Sequence, residues 1–242
     1  MTAISTFSIA SAFNGPPASA NGGYACGRLA ELATAGGQLT ASVAVSLHLP
    51  VPMDTPLTYR PAGKRGHAWH GEDVIASVTG GNGPPPVLEL VSAAEAKAAQ
   101  GSFTSVGHPF PTCFVCGPER AEGGLALRPG GVEGKPGTVA CLWTPTPELA
   151  DERGVVLPEI VWSALDCPGG WTTDPVQRPQ LLGRMSAQIT ELPLSGVEYV
   201  VVGRLEHREE RTTTNLTALY DAAGGRLLAH ASAQWIAIDT NV

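Results

Sequence analysis

The sequence contains one helical segment twice, and this repetition limits the chain to folds with two similar halves. The first copy begins with Asn21-Gly22-Gly23, and the second begins with Leu157-Pro158-Glu159 and continues to Gly170. Alignment of the copies places Ala30 at the position that Asp166 holds in the second copy. If the two helices face each other, backbone N–H groups from the glycine pair meet the carboxylate of Asp166. The repeat therefore predicts one composite site per chain.

Outside the two helices, apolar and polar residues alternate in the pattern of β-strands. The segments with this pattern are 38–49, 74–79, 87–91, 138–143, 180–192, 198–205, 213–220 and 227–238. Each half of the chain thus consists of a strand, a helix and about four further strands, and antiparallel sheet must wrap each helix to bury its apolar face. The predicted halves are residues 1–98 and 99–242.

The composition excludes several classes of protein. Hydrophobic residues make up 43% and charged residues 15% of the 242 residues, which argues against a disordered chain. The net charge of -7 disfavours a nucleic-acid partner, because phosphates would be repelled. The first basic residue is Arg28 and no stretch approaches the roughly 18 apolar residues of a membrane span. We therefore expect a cytoplasmic protein that binds neither nucleic acid nor membrane.

The five cysteines are too few and too scattered for a disulfide framework, and their number is odd, so we expect reduced thiols. Cys113 and Cys116 have the spacing of a zinc knuckle, with His108 upstream. Zinc requires four ligands, however, and no second pair follows at a useful distance. We therefore predict a buried turn in preference to a structural zinc site or a redox pair, and no bound metal.

Three pieces of sequence resemble double-hotdog proteins of the acyl-CoA thioesterase superfamily. Asn21-Gly22-Gly23 resembles the start of the hotdog helix in phenylacetate-type thioesterases, and Leu165-Asp166 resembles the segment of that helix with the catalytic Asp. The segment from Cys113 to Pro118 resembles the stretch that leads into the first strand of a hotdog domain. The segment from Asp221 to Trp235 resembles the last hairpin of the thioesterase II type, which places Gln234 where that family has an active-site Gln.

This resemblance implies an α+β fold, a tandem (double) hotdog in which an antiparallel sheet wraps a long helix in each half. It implies hydrolysis of an acyl-CoA or acyl-carrier thioester, no cofactor other than the coenzyme A of the substrate, and a homodimer. The chain departs from the family at Asn21, which replaces a His, and at 199–202, where an apolar stretch replaces a Ser or Thr. A non-catalytic acyl-CoA binding protein and a hotdog hydratase or dehydratase therefore remain alternatives.

The resemblance also gives a predicted set of site residues. Asp166, which shares a helix face with Trp162, is predicted to act as general base or nucleophile on a carbonyl that the backbone of Gly23 polarises. Asn21 and Gln234 are predicted to orient the water or the carbonyl. The predicted contacts to the substrate are Gly22, Tyr24, Gly27, Trp162 and Gly170.

Each of these residues also has a structural interpretation. In the structural interpretation, Asp166 simply ends or caps its helix, because Pro168 follows it closely. Two glycines at a helix start can serve as a plain cap or allow close packing. Gln234 and His230 lie on one face of the last strand, where polar residues are commonly exposed to solvent.

Overall fold

The computed structural model describes residues 4–35, 42–120 and 122–238 of the chain. Within these ranges the α-helices are α1 (Gly22–Ala35), α2 (Ala93–Gly101) and α3 (Pro158–Gly170). The strands are β1 (Ser5–Phe7), β2 (Val43–Leu47), β3 (Leu57–Ala62), β4 (Arg65–His70), β5 (Asp73–Gly80), β6 (Gly130–Gly131), β7 (Thr138–Trp143), β8 (Gln180–Ile189), β9 (Tyr199–Arg208), β10 (Thr212–Asp221) and β11 (Leu227–Ala237). No helix in these ranges is long and apolar enough to cross a membrane.

All of these strands belong to one sheet, in the order β1-β3-β4-β5-β2-β8-β11-β10-β9-β7-β6. The two halves of the sheet meet where β2 pairs antiparallel with β8, with Val43 opposite Ala187 and Ser46 opposite Arg184. Helices α1 and α3 lie together on the inner face, where the main hydrophobic core fills the space between helices and sheet. The predicted α+β class, with antiparallel sheet wrapped around a long helix in each half, is confirmed.

Helices α1 and α3 pack closely because glycines of α1 face the backbone of α3. A Cβ atom added at Gly27 would lie 2.5 Å from the Cα of Glu159, and one at Gly23 would lie 2.5 Å from the Cβ of Asp166. An ion pair of 3.3 Å between Arg28 and Glu159 also joins the two helices. The repeated helices therefore face each other, as the sequence predicts, but with their backbones in contact.

Helix α2 lies on the outer face of the second half of the sheet. It begins with a capping box, in which Ser92 and Glu95 satisfy each other's backbone N–H groups. Its buried residues join a second hydrophobic cluster with β7, β9 and β10. The predicted boundary between residues 98 and 99 falls inside this helix.

The strand predicted at 87–91 is wrong. The segment follows three prolines and lies against the outer face of the sheet, outside its hydrogen-bonded strands. Leu88 and Val91 are buried there, and the hydroxyl of Tyr220 donates a hydrogen bond to the Leu88 carbonyl. The buried residues of this segment are therefore three apart and not two, and the burial does not follow the alternation that predicted a strand.

The sequence pattern also misses the hairpin of β3 and β4. Pro61 disfavours a strand, but it lies within β3, opposite Gly66 of β4. Gly63 in the turn has a φ of 61°, which favours glycine. Of the predicted strand at 38–49, residues 38–41 lie outside the described residues, and β2 covers Val43–Leu47.

Candidate active site

The carboxyl group of Asp166 lies at the contact between α1 and α3. Its Oδ2 accepts hydrogen bonds from the backbone N of Gly23 at 2.9 Å and from Nδ2 of Asn21 at 3.0 Å. Its Oδ1 is buried and has no hydrogen-bond partner in the described part of the chain. Since α3 continues through Pro168 to Gly170, Asp166 is an interior residue of the helix and not its cap. A carboxyl of one half thus binds the helix start of the other half.

Burial dominates the electrostatics of this carboxyl. Asp166 is 1% exposed, and this desolvation raises its pKa to about 7. The hydrogen bonds from Gly23 and Asn21 lower the pKa by stabilising the ionised form, whereas negative charge on Cys113 raises it further. The positive end of the α1 dipole also favours a negative charge at this place. A carboxyl in this environment exchanges its proton near neutral pH, as a general base requires.

Asn21 holds both α1 and Asp166 in position. Its Oδ1 accepts a hydrogen bond from the backbone N of Tyr24 at 2.9 Å, which is the contact of a helix N-cap, while its Nδ2 donates to Asp166. The N–H of Gly23 is therefore occupied by Asp166 and does not point to a free ligand position. The sequence prediction that this amide polarises a substrate carbonyl does not fit the observed hydrogen bonds.

The backbone N–H of Gly22 is available instead. It donates to no atom within residues 4–35, 42–120 and 122–238, and Gly22 is half-buried at the rim of a groove of about 190 Å³. The groove lies where the two halves of the sheet meet the start of α1. Its lining is mainly apolar and includes Leu47, Leu49, Val51, Leu182 and Ile236. Sequence reasoning missed these residues because β2, β8 and β11 bring them together from distant positions.

The other predicted substrate contacts lie away from this groove. Tyr24 is buried and stacks on Phe13, with ring centroids 4.0 Å apart. Gly27 and Trp162 pack against each other at the contact between the two helices. They also line a separate pocket of about 330 Å³ at the start of α3. Gly170 packs on the ring of Trp235.

The structure does not bring Gln234 to Asp166. Its side chain is exposed on the outer face of β11, where it lies opposite Arg184 of β8 and Thr214 of β10. Alternation along β11 turns the neighbouring Trp235 inward, so Gln234 faces away from α3. His230 shares this outer face and is covered by the segment after the prolines, with Nδ1 3.4 Å from the Pro86 carbonyl oxygen.

No protein-family model matches the sequence, and a comparison with curated proteins gives no match either. Several solved structures are similar over nearly the whole chain. A candidate thioesterase of Novosphingobium aromaticivorans has a TM-score of 0.66 at 13% identity, covering 99% of this chain and 97% of its own. An acyl-CoA thioesterase II of Mycobacterium marinum has a TM-score of 0.62 at 10% identity, covering 98% and 94%.

A third similar structure is a protein of unknown function with a hot dog fold from Alicyclobacillus acidocaldarius. Its TM-score is 0.59 at 12% identity, and the likeness covers 98% of this chain and 96% of that protein. Identities this low establish the fold and not the activity. Together with the strand order, they confirm the predicted architecture: the chain is a double hotdog.

Proposed function

We propose that this chain hydrolyses thioesters, with an acyl-CoA or an acyl-carrier thioester as substrate. Two proteins with the same fold are named as thioesterases, one of them as a candidate. The observation that supports the proposal best lies in the site itself. One oxygen of the buried Asp166 is fixed on the start of α1, and the other has no partner among the described residues.

The free oxygen of Asp166 is the reactive atom in this proposal. As a general base it takes a proton from a water, whose oxygen then attacks the thioester carbonyl. The carbon–sulfur bond then breaks, and the leaving sulfur takes the proton from Asp166 and departs as the free thiol, which restores the carboxylate. Asn21 and Gly23 act as positioning residues, because their two hydrogen bonds fix the carboxyl. Direct attack by the carboxylate, with a mixed anhydride that water then hydrolyses, uses the same atom.

The N–H of Gly22 supports the developing negative charge on the carbonyl oxygen. This backbone donor at the positive end of α1 has no partner among the residues that the structure describes, and it lies beside the apolar groove. In this structure the groove does not reach the carboxyl. The side chain of Leu182 covers Gly22: a Cβ atom added at Gly22 would lie 2.8 Å from the Cβ atom of Leu182. Access of the substrate to the carboxyl from this groove therefore requires Leu182 to move away from Gly22.

The test uses thiol release from a panel of short, long and aromatic acyl-CoA substrates. Asp166→Asn keeps the size of the side chain but removes the base, so we expect thiol release to fall by about 10²- to 10⁴-fold. Asp73→Asn, at an exposed position on β5, is the matched control and should release thiol like the wild type. Equal rates for wild type and Asp166→Asn with every substrate would remove Asp166 from the reaction.

A non-catalytic acyl-CoA binding protein is the second candidate, and one observation favours it. Both hydrogen bonds to Asp166 also serve to cap α1 and to hold the two helices together, and the carboxyl is fully enclosed. In this case the chain would bind acyl-CoA tightly and release no free thiol. The hydratase alternative receives less support, because no histidine bonds to Asp166 in the described residues.

A further inference from the structure

Three buried cysteines from distant parts of the chain converge beside the end of α3. Cys113 and Cys116 lie in the loop that follows α2, and Cys167 lies on α3. Their sulfur atoms all lie within 4.8 Å of one another, and the sulfurs of Cys113 and Cys167 are 3.8 Å apart. None of the three forms a disulfide. The sequence spacing identified only Cys113 and Cys116, because Cys167 is distant in the chain and only the fold brings it to them.

The spacing of the sulfurs fits a tetrahedral zinc ion. With zinc–sulfur bonds of about 2.3 Å, two sulfurs on a tetrahedral zinc are about 3.8 Å apart. A disulfide would require about 2.0 Å. The turn between the first two cysteines is held by a 2.9 Å hydrogen bond from the Gly117 N–H to the Cys113 carbonyl. A Cβ at Gly117 would lie 2.5 Å from the Cys113 nitrogen, so this tight turn requires glycine.

A small cavity and an unsatisfied donor lie next to the sulfurs. The cavity has a volume of about 40 Å³, enough for a water, and His108 and Trp235 line it together with the cysteines. His108 is 9% exposed, and its Nδ1 accepts the N–H of Phe110 at 3.1 Å. The proton of the neutral ring is then on Nε2, and this atom has no partner in the part of the chain described.

We propose that Cys113, Cys116 and Cys167 bind Zn²⁺ as thiolates, with a water or a small anion as the fourth ligand. That ligand accepts the hydrogen bond of His108 Nε2, so His108 is a positioning residue and not a ligand of the metal. Binding releases the thiol protons to solvent. The ion would fix the loop with the first two cysteines to α3, next to Asp166. The assignment of this site does not rest on the proposed hydrolysis.

The first test uses the full-length wild-type chain alone. Metal analysis of the protein purified with reduced thiols should find one zinc per chain. After removal of the zinc with a chelator, titration with Co²⁺ should produce a thiolate-to-cobalt charge-transfer band that saturates at one equivalent. Absence of both zinc and the band from folded, reduced protein would overturn the proposal, as would a disulfide among these cysteines in protein isolated under reducing conditions.

Variants then identify the ligands. Loss of a residue that supports a metal ligand weakens metal binding by about 10- to 100-fold. Cys167→Ser removes a ligand itself, so it should weaken zinc binding by more than this. Cys141→Ser is the matched control, because Cys141 is equally buried but lies outside the cluster, on β7. His108→Phe should weaken binding by about 10- to 100-fold and keep the charge-transfer band. Equal loss of zinc from the Cys141 and Cys167 variants would contradict the assignment.

Discussion

Gly23→Ala tests the close contact between the two helices. The added Cβ would lie 2.5 Å from the Cβ of Asp166 and 2.7 Å from the carbonyl oxygen of Trp162. Unbonded carbon atoms prefer about 3.5–4.0 Å, so the helices must separate by about 1 Å. Because most of the opposing atoms belong to the backbone of α3, a change of rotamer cannot relieve the clash.

The cost of this change has two parts. Overpacking of a dense core costs about 1–3 kcal/mol. Separation of the helices also stretches the bond from the Gly23 N–H to Asp166, and a hydrogen bond to a charged group contributes about 1.5–3 kcal/mol. Alanine gains up to about 1 kcal/mol over glycine in a helix, so we expect a net loss of about 2–4 kcal/mol in the free energy of unfolding.

Urea unfolding of the wild type and the variant measures this loss. Gly101→Ala is the matched control, because Gly101 is the last residue of α2 and a Cβ there would meet no atom within 4 Å. The control should change the free energy of unfolding by less than about 0.5 kcal/mol. If Gly23→Ala unfolds at the same urea concentration as Gly101→Ala, the helices are not in the contact described.

Three further predictions concern single side chains. Asn21→Ala removes the N-cap of α1 and one bond to Asp166, so the free energy of unfolding should fall by about 2 kcal/mol and thiol release should slow; an unchanged urea midpoint would contradict both roles. Gln234→Ala should release thiol at the wild-type rate, because the side chain is exposed on the outer face, and a large loss of rate would return Gln234 to the site. Hydrogen bonds from Ser92 hold the pKa of Glu95 down at about 2. The stabilisation of the fold by these bonds is therefore fully present above the ordinary pKa of 4.5, and it is lost as the pH falls towards 2. The difference in free energy of unfolding between wild type and Glu95→Gln should therefore shrink from pH 5 to pH 3, and a constant difference would refute the capping box.

The repeat in the sequence was sufficient to predict which helices face each other. Because the copies are related by symmetry, the glycine pair of α1 had to lie near the later half of α3, and the structure places Gly23 N 2.9 Å from Asp166. The sequence did not reveal that the carboxyl occupies this amide. That result depends on how closely the two backbones approach, and the glycine pair permits a close contact without fixing its distance.

Other features depend on which side of the sheet a residue faces. Alternation showed that Gln234 and Trp235 point in opposite directions, but it did not show which of them faces α3. The groove beside Gly22 combines residues of β2, β8 and β11, and its existence follows only from the pairing of the two half-sheets. The contact between Cys167 and Cys113 likewise could not be predicted from the sequence, because it forms only in the tertiary fold.

The most direct test of the proposed function is thiol release in a single turnover, with enzyme in excess over the best acyl-CoA of the panel. Wild type and Asp166→Asn are compared at equal concentration after circular dichroism has shown the same fold for both. We predict release by the wild type and a rate at least about 100-fold lower for the variant. Release by both proteins at the same rate would contradict the assignment of the reaction to Asp166.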